Sequence, residues 1–314
     1  GYRKSVYVQA QSTQPQEMTM QSPVVLPRSL SRAQFTVLIV GLMATGIGQS
    51  LVFAGAVLPE WSVVVLVVYV DDLLALFSKE EEYQRFLKSF GAKFEVGHEG
   101  PLEFFLGINV SQLPDGSVTL SQKRYVRALL VRYRMDTCKS RRTPALAKTR
   151  LPMQCPDTDS DEHARMRELP YAELVGALLY LSVTTRPDIA QAVGALCCFM
   201  ANPSEVHWKA ALHVLRYLSG TDDYRLTYRR GTTLTLTGFC DAEFGGNTGD
   251  SRAVEGFVVT LGGGVVDFAS RRQRSVGCSS TETEFMACKT VSDACLAMKS
   301  LLLALGADGC RDKP

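Results

Sequence analysis

The stretch VVVLVVYVDDLLALF, residues 63–77, places two adjacent acids, Asp71 and Asp72, inside a run of apolar residues. β-branched residues before the acids and apolar residues after them are typical of two short strands, and Asp favours the turn that joins them. The first strand is apolar at nearly every position, as in a strand buried on both faces. We therefore predict a buried hairpin that presents a carboxylate pair at its turn; the alternative is a turn whose acids are simply solvated.

The composition is that of an ordinary folded protein, with 21% charged and 46% hydrophobic residues and a net charge of only +2. The 314 residues are enough for two modest domains. Because the net charge is small, any argument for nucleic-acid binding rests on local clusters of cations. The nine cysteines show no CxxC pair and no paired Cys/His spacing, which argues against a zinc site or a disulfide framework and favours a reducing intracellular setting.

The N-terminal part divides into two segments of different character. Residues 1–34 are polar and rich in Gln, Ser and Pro, which predicts a flexible leader. Residues 35–58 contain no charged residue over 24 positions, and about 20 apolar residues are enough to cross a bilayer. The segment is therefore a candidate transmembrane helix that would associate with a membrane, or else a segment buried in a folded core, and both interpretations stay open.

The remainder alternates between helical and strand patterns, which predicts an α+β fold. Residues 79–94 have helical apolar spacing, and Pro114-Asp115-Gly116 is typical of a hairpin turn. Residues 123–150 form a basic helical block with ten Lys and Arg residues against one acid. A Pro- and Asp-rich linker is predicted at 151–170, two or three helices at 171–220, and three strands followed by a long helix from 232 onward.

The long C-terminal helix carries a glutamate that the helical pattern places inward. Steps at helical spacing from Glu284 meet only apolar residues, whereas the same steps from Glu282 meet a mixed face. Glu282 follows Ser279 by three residues, which is the spacing of a capping box. An inward carboxylate is costly unless it is paired, protonated or bound to a metal. Asp241, near the end of a predicted strand, is the natural second ligand for Mg²⁺, although a structural role remains the alternative.

A series of motifs resembles the Pol polyprotein of copia-type LTR retrotransposons. The motifs occur in the family's order and cover roughly residues 62–305: YVDDLLALF, FFLGINVSQLPDGSVTLSQKRYVRALL, YAELVGALLYLSVTTRPDIAQAV, HWKAALHVLRYLSGT, CDAEFGG and SSTETEF. The resemblance implies the later part of an RNA-directed DNA polymerase followed by the start of a ribonuclease H domain. It also implies an RNA template, a DNA primer or an RNA–DNA hybrid as partner, two-metal Mg²⁺ chemistry, and an intracellular location; it assigns no oligomeric state.

The resemblance also implies domains and functional residues. Its segments are a leader at 1–34, the apolar segment at 35–58, a partial polymerase palm with a primer-grip-like hairpin at 61–120, a thumb and connection with the linker 151–170 at 121–230, and a truncated ribonuclease H-like βββα unit at 231–314. The implied catalytic and metal-binding residues are Asp71, Asp72, Asp241 and Glu284. The implied nucleic-acid contacts are Phe105, Leu106, Gly107, Lys123, Arg124, Arg127, Arg132 and Arg134.

The chain departs from the family pattern in both catalytic parts. The family's polymerase has a further Asp upstream, yet residues 1–60 contain no Asp. The ribonuclease H pattern needs another Asp on a strand after the helix, and neither Asp308 nor Asp312 matches it. Residues 34–59 are similar to the first transmembrane helix of major-facilitator transporters, which predicts a seam near 57–62. We thus expect a catalytically incomplete Pol segment; the alternatives are a single-pass membrane protein without catalytic activity and a residual nucleic-acid-binding module.

Overall fold

The structure is a computed structural model. It describes residues 4–12, 18–21, 52–58, 62–69, 72–77, 80–92, 95–96, 103–145, 151–152, 156–157, 160–230, 232–244 and 252–304.

The predicted hairpin forms part of the first of three sheets among the described residues. Its strands are β1 (Lys4–Ser12), β2 (Met18–Gln21), β3 (Val52–Leu58), β4 (Ser62–Tyr69), β5 (Asp72–Phe77) and β6 (Glu95–Val96), in the order β3-β4-β5-β1-β2-β6. Strands β4 and β5 pair antiparallel from Val65↔Leu76 to Tyr69↔Asp72, so the hairpin prediction is confirmed. The predicted helix at 79–94 is α1 (Glu80–Gly91).

The first sheet corrects two predictions for the N-terminal part. Residues 4–12 are a strand that pairs antiparallel with β5, so the flexible-leader prediction is wrong there. Residues 52–58 are a strand paired with β4 rather than the end of a helix; their backbone groups are satisfied by a neighbouring strand, and their β-branched residues suit that conformation. Residues 35–51 lie outside the described residues. Within the described part, no helix has the length and apolar character to cross a bilayer.

The second sheet contains the Pro-Asp-Gly turn. Its strands are β7 (Phe104–Phe105), β8 (Ile108–Gln112), β9 (Val118–Ser121) and β10 (Leu226–Tyr228), in the order β10-β9-β8-β7. Gly116 has a φ of 82°, a value that glycine adopts without steric cost. The Asp115 carboxylate accepts a hydrogen bond from the Ser117 N–H at 2.8 Å, and this bond lowers the pKa of Asp115. The predicted turn chemistry is confirmed.

A layer of helices follows the second sheet. They are α2 (Lys123–Arg132), α3 (Asp161–Glu168), α4 (Tyr171–Thr184), α5 (Ala190–Cys197) and α6 (Glu205–Ser219), with a short 3-10 turn at Pro187–Ile189. The helices predicted across 171–220 are confirmed. The helical block predicted at 123–150 is confirmed for 123–132 and wrong for 133–145, which form turns and irregular backbone. Helix α3 lies inside the predicted linker 151–170, and Ser160 caps it by accepting a hydrogen bond from the His163 N–H. The linker prediction is therefore wrong for residues 161–168.

The helical layer is joined by a buried arginine. The Arg186 side chain is 2% exposed and donates to both carboxylate oxygens of Asp188, at 2.9 and 2.8 Å. It also donates to the Thr221 carbonyl and hydroxyl, at 3.0 and 2.7 Å. Tyr217 donates its hydroxyl to Asp188 at 2.8 Å, and burial together with this bond raises the pKa of Tyr217 to about 12. This network connects the turn before α5 to the C-terminal end of α6.

The third sheet and the last helix form the predicted βββα unit. Strands β11 (Leu236–Glu243), β12 (Val254–Leu261) and β13 (Gly264–Arg272) pair antiparallel in chain order, and α7 (Ser280–Ala304) packs on β11 and β12. A single hydrophobic cluster contains residues of the second sheet, such as Ile108 and Tyr228, and residues of this unit, such as Val259 and Leu302. The second and third sheets thus share one core.

Candidate nucleic-acid interface

The basic helix α2 buries one face and exposes the other. Val126, Leu129 and Leu130 are buried in the helical core. The residues on the opposite side are exposed and include most of the helix's cations: Arg124, Arg127, Ala128, Val131 and Arg132. Apolar residues three and four positions apart lie on the same face of a helix, and this face packs on the core. The arginines therefore lie on the opposite, solvent-exposed face.

Two of the predicted contact residues are engaged in ion pairs. The Arg127 Nε atom lies 2.7 Å from the Asp222 carboxylate, and Arg132 pairs with Glu173. Arg124 and Arg134 are exposed and form no ion pair with another described residue, whereas Lys123 is half-buried. Pairing partly neutralises Arg127 and Arg132, so Arg124 and Arg134 are the stronger candidates for contact with a phosphate.

The segment after α2 carries further cations and is hydrogen-bonded to α6. Lys139, Arg141 and Arg142 are exposed. The Arg141 N–H donates to the Arg216 carbonyl at 3.0 Å, and the Arg216 Nε atom donates to the Lys139 carbonyl at 2.9 Å. Hydrogen bonds to a helix therefore hold this irregular segment in place. We call Arg124, Arg134, Lys139, Arg141 and Arg142 the basic surface.

The predicted primer-grip-like residues form a tight turn, but one of them is not accessible. Leu106 and Gly107 have φ values of 47° and 74°, and the Leu106 carbonyl accepts a hydrogen bond from the Tyr180 hydroxyl on α4. Phe105 is 2% exposed and belongs to the core shared by the second and third sheets. The prediction that the Phe105 side chain contacts nucleic acid is therefore wrong.

Phe104 is the exposed aromatic residue at this position, and the sequence prediction missed it. Its side chain is 44% exposed, and the Arg124 guanidinium carbon lies 5.9 Å from its ring centroid. An arginine over an aromatic face is a cation–π contact. The pairing register of β7 with β8 decides which of two adjacent phenylalanines is buried, and the sequence FF alone does not contain that information.

Of the two acids in the opening hairpin, the structure describes only the backbone of Asp72. Asp72 is the first residue of β5 and pairs with Tyr69, the last residue of β4. Asp71 and the side chain of Asp72 lie outside the described residues. Their role as a metal-binding pair stays a prediction.

The other two predicted carboxylates lie near a pair of cysteines. Asp241 is exposed on β11, and Glu284 is half-buried on α7. Burial raises the pKa of Cys240 to about 11, and contact with Cys288 acts in the same direction. The charges of Glu284 and Asp241 add to this increase, so both carboxylates lie within electrostatic range of one thiol.

A magnesium site is not complete among the described residues. They contain no group of three or more His, Cys, Asp or Glu side chains placed to hold a metal ion. Asp241 and Glu284 supply oxygen ligands of the kind that Mg²⁺ prefers, yet Mg²⁺ sites usually also depend on further ligands in near-octahedral geometry. The residues that the structure describes do not fit a two-metal centre, and no reaction step follows from them.

The inward face of α7 agrees only in part with the predicted one. Val291, Met298 and Leu302 are buried as expected, but the most buried residues near the start of the helix are Thr283 and Ala287. Glu284 thus lies at the border of the inward face. Glu282 has the predicted structural role, because its N–H donates to Ser279 and its carboxylate accepts from the Cys278 N–H.

A buried carboxylate on β12 was missed. Glu255 is 5% exposed; it pairs with Arg271 at 3.0 Å and accepts a hydrogen bond from the Thr290 hydroxyl at 3.1 Å. The signal was present in the sequence AVEGFVVTL, where the glutamate occupies the same alternate positions as Phe257 and Val259. Glu255 thus links β12 to β13 through Arg271 and to α7 through Thr290, which indicates a structural role.

Comparison with known proteins identifies relatives across most of the chain. Residues 40–147 match the family model described as reverse transcriptase (RNA-dependent DNA polymerase). The retrovirus-related Pol polyprotein from transposon TNT 1-94 of Nicotiana tabacum is 32% identical over 79% of the chain, and that from transposon RE2 of Arabidopsis thaliana is 35% identical over 78%. An uncharacterized mitochondrial protein of Arabidopsis thaliana is 33% identical over 71% of the chain and 89% of its own length.

The chain is much shorter than the Pol polyproteins it matches, and the family match crosses the predicted seam. The chain spans 19% and 16% of the two Pol polyproteins. The family match begins at residue 40 and continues through residues 57–62, which disagrees with the predicted seam between transporter-like and Pol-like pieces. No solved structure matches the chain.

Proposed function

Because the chain belongs to the copia-type retrotransposon Pol family and includes part of its reverse transcriptase region, we propose that it holds an RNA–DNA hybrid or a template–primer on the basic surface. The ligand class follows from the family, whose reverse transcriptases act on a nucleic-acid template and primer. The location follows from the charges, since every described cation of residues 123–142 except the half-buried Lys123 is exposed, on α2 or in the segment that follows it.

One observation supports this location most strongly. The cations at 139–142 belong to an irregular segment whose backbone is bonded to α6. Cations on a fixed frame lose less conformational entropy when they meet phosphates than cations on a mobile tail would. Phosphate contacts of this kind supply affinity and orientation without reading base sequence.

Neutralising part of the basic surface tests the proposal. We expect the triple variant Arg124→Gln, Arg141→Gln, Arg142→Gln to bind a short RNA–DNA hybrid about 100-fold more weakly at about 0.1 M salt. Each arginine that contacts a phosphate releases about one bound counterion from the nucleic acid, and the variant loses that favourable contribution at three positions. Fluorescence anisotropy with the purified chain measures the dissociation constant.

The matched control removes an arginine elsewhere. Arg165 is exposed and paired with Glu205 at the start of α6, whereas Lys139 and Arg141 are hydrogen-bonded to Arg216 near the end of that helix. Eleven residues separate the two positions, or about 17 Å along the helix. Arg165→Gln should leave the affinity nearly unchanged. An equal loss of affinity in the control and the triple variant would contradict a localised interface.

We further infer that these 314 residues by themselves catalyse neither DNA synthesis nor cleavage of hybrid RNA. Residues 1–60 contain no Asp to join Asp71 and Asp72. In the ribonuclease H-like part, Asp241 and Glu284 have no third acidic ligand among the described residues. A metal held by an incomplete ligand set lacks the fixed geometry that two-metal catalysis needs.

Template-dependent nucleotide incorporation measures the first of these activities. We expect incorporation by the purified chain with Mg²⁺ to stay at background, and the variant Asp71→Asn to be indistinguishable from the wild type. Cleavage of the RNA strand of a labelled hybrid should likewise be at background, with Glu284→Gln as control. Incorporation that disappears in Asp71→Asn would overturn the inference for the polymerase part.

A further inference from the structure

Two thiols face each other between β11 and α7. The Sγ atoms of Cys240 and Cys288 are 3.6 Å apart. Cys288 is exposed and Cys240 is half-buried, so reagents can reach the first thiol directly. The two residues are distant in sequence, and the packing of α7 on β11 brings them together.

Strand β11 and helix α7 pack closely beside the two thiols. At Gly238, two residues before Cys240 on the same side of β11, an added Cβ atom would lie 2.7 Å from the Val291 side chain. Strand and helix therefore approach each other without room for a side chain between them. A disulfide needs its sulfur atoms about 2.05 Å apart, so the thiols have to close a gap of about 1.5 Å, which is within the range of a side-chain rotation.

We propose that Cys240 and Cys288 are a redox-responsive pair that forms a reversible intramolecular disulfide with a small disulfide oxidant, such as oxidised glutathione. The Cys288 thiolate attacks one sulfur of the oxidant, forming a mixed disulfide and releasing one glutathione thiolate. Cys240 then loses its proton, and its thiolate attacks the Cys288 sulfur of the mixed disulfide and releases the second glutathione thiolate. Two protein thiols and one oxidised glutathione thus give one protein disulfide and two reduced glutathiones, which take up the two thiol protons.

The bridge would join the two elements that carry the predicted carboxylates. Asp241 follows Cys240 on β11, and Glu284 precedes Cys288 by one helical turn on α7. Oxidation would therefore fix β11 and α7 relative to each other at the position of this acidic pair. In a reducing compartment both cysteines stay as thiols, so the connection responds to redox state.

Mass spectrometry of the full chain tests the pair directly. The chain is incubated with oxidised glutathione, its remaining thiols are alkylated, and it is digested without reduction. We expect a linked peptide joining Cys240 and Cys288 that disappears on prior treatment with dithiothreitol. Cys240→Ser and Cys288→Ser should each abolish it, whereas Cys295→Ser, a half-buried cysteine on the same helix, should retain it.

Thermal unfolding gives a second, independent readout. The bridge closes a loop of residues 240–288, so the oxidised chain should unfold at a temperature higher by about 5 °C, and neither single serine variant at 240 or 288 should show the increase. Exposed Cys278 serves as the internal control for oxidation, because it should acquire glutathione. The proposal is overturned if Cys278 is glutathionylated while Cys240 and Cys288 remain fully alkylated.

Discussion

Replacing Asp188 with alanine is expected to lower the free energy of unfolding by about 3 kcal/mol. Asp188 supplies the negative charge that neutralises Arg186, whose side chain is 2% exposed. Without it, the guanidinium stays charged in the core, retaining Thr221 as a partner but no counterion. The loss is large because a buried charge without its partner keeps its full desolvation cost.

Urea denaturation followed by circular dichroism measures this effect. The matched control is Asp293→Ala on α7, where Asp293 pairs with Lys289 and both side chains are more than half exposed. Exposed pairs of this kind contribute less than about 0.5 kcal/mol, so the control should denature at nearly the wild-type midpoint. A small effect of Asp188→Ala, equal to that of the control, would show that Arg186 is solvated in solution.

The variant Gly238→Val is expected to destabilise the chain by about 2–3 kcal/mol and to loosen α7 from β11. A Cβ atom at this position would lie 2.7 Å from Val291 Cγ2 and 3.0 Å from Cys295 Sγ. Val291 is buried and β-branched, so its side chain has little freedom to turn away. The helix therefore has to move away from the strand, which also separates Cys288 from Cys240.

A second substitution identifies the cause of this loss. Adding Val291→Ala removes the contacted methyl groups and should restore part of the stability, giving a favourable coupling energy in a double-mutant cycle. Gly176→Ala is the control at a glycine with no atom within 4 Å of an added Cβ; inside helix α4 it should stabilise by about 0.5–1 kcal/mol. Additive effects of Gly238→Val and Val291→Ala would contradict the close packing of α7 on β11.

The elements that the sequence predicted correctly are those with local signals. The opening hairpin, the Pro-Asp-Gly turn and helix α2 each combine a clear apolar period with turn or helix chemistry within a few residues. The same holds for the three strands and the long helix after residue 232, where Ser279 and Glu282 fix the helix start.

The elements that the sequence missed depend on distant partners or on weak signals. Strand β1 is polar at many positions, and it is a strand because β5, more than 60 residues later, pairs with it. The apolar residues 52–58 suit either a membrane helix or a strand, and pairing with β4 decides between them. Helix α3 did have a local signal, since Ser160 precedes two acids, but the Pro- and Asp-rich surroundings obscured it.

The sequence predicted which segment of the candidate site carries the positive charges and that they are exposed. The arginines of α2 are exposed as the helical period required. Which of them are neutralised by Asp222 or Glu173, and whether Phe104 or Phe105 is accessible, depends on tertiary contacts that no single segment encodes. The proximity of Cys240 and Cys288 has the same origin.

The salt dependence of hybrid binding is the most direct test of the nucleic-acid interface. The dissociation constant of the wild-type chain for an RNA–DNA hybrid is measured between about 50 and 200 mM salt, beside that of the triple variant Arg124→Gln, Arg141→Gln, Arg142→Gln. We expect wild-type affinity to fall steeply with salt, and the slope of log affinity against log salt to be shallower in the variant by about 2–3. A wild-type affinity that does not change with salt, or the same slope in both proteins, would contradict binding through the basic surface.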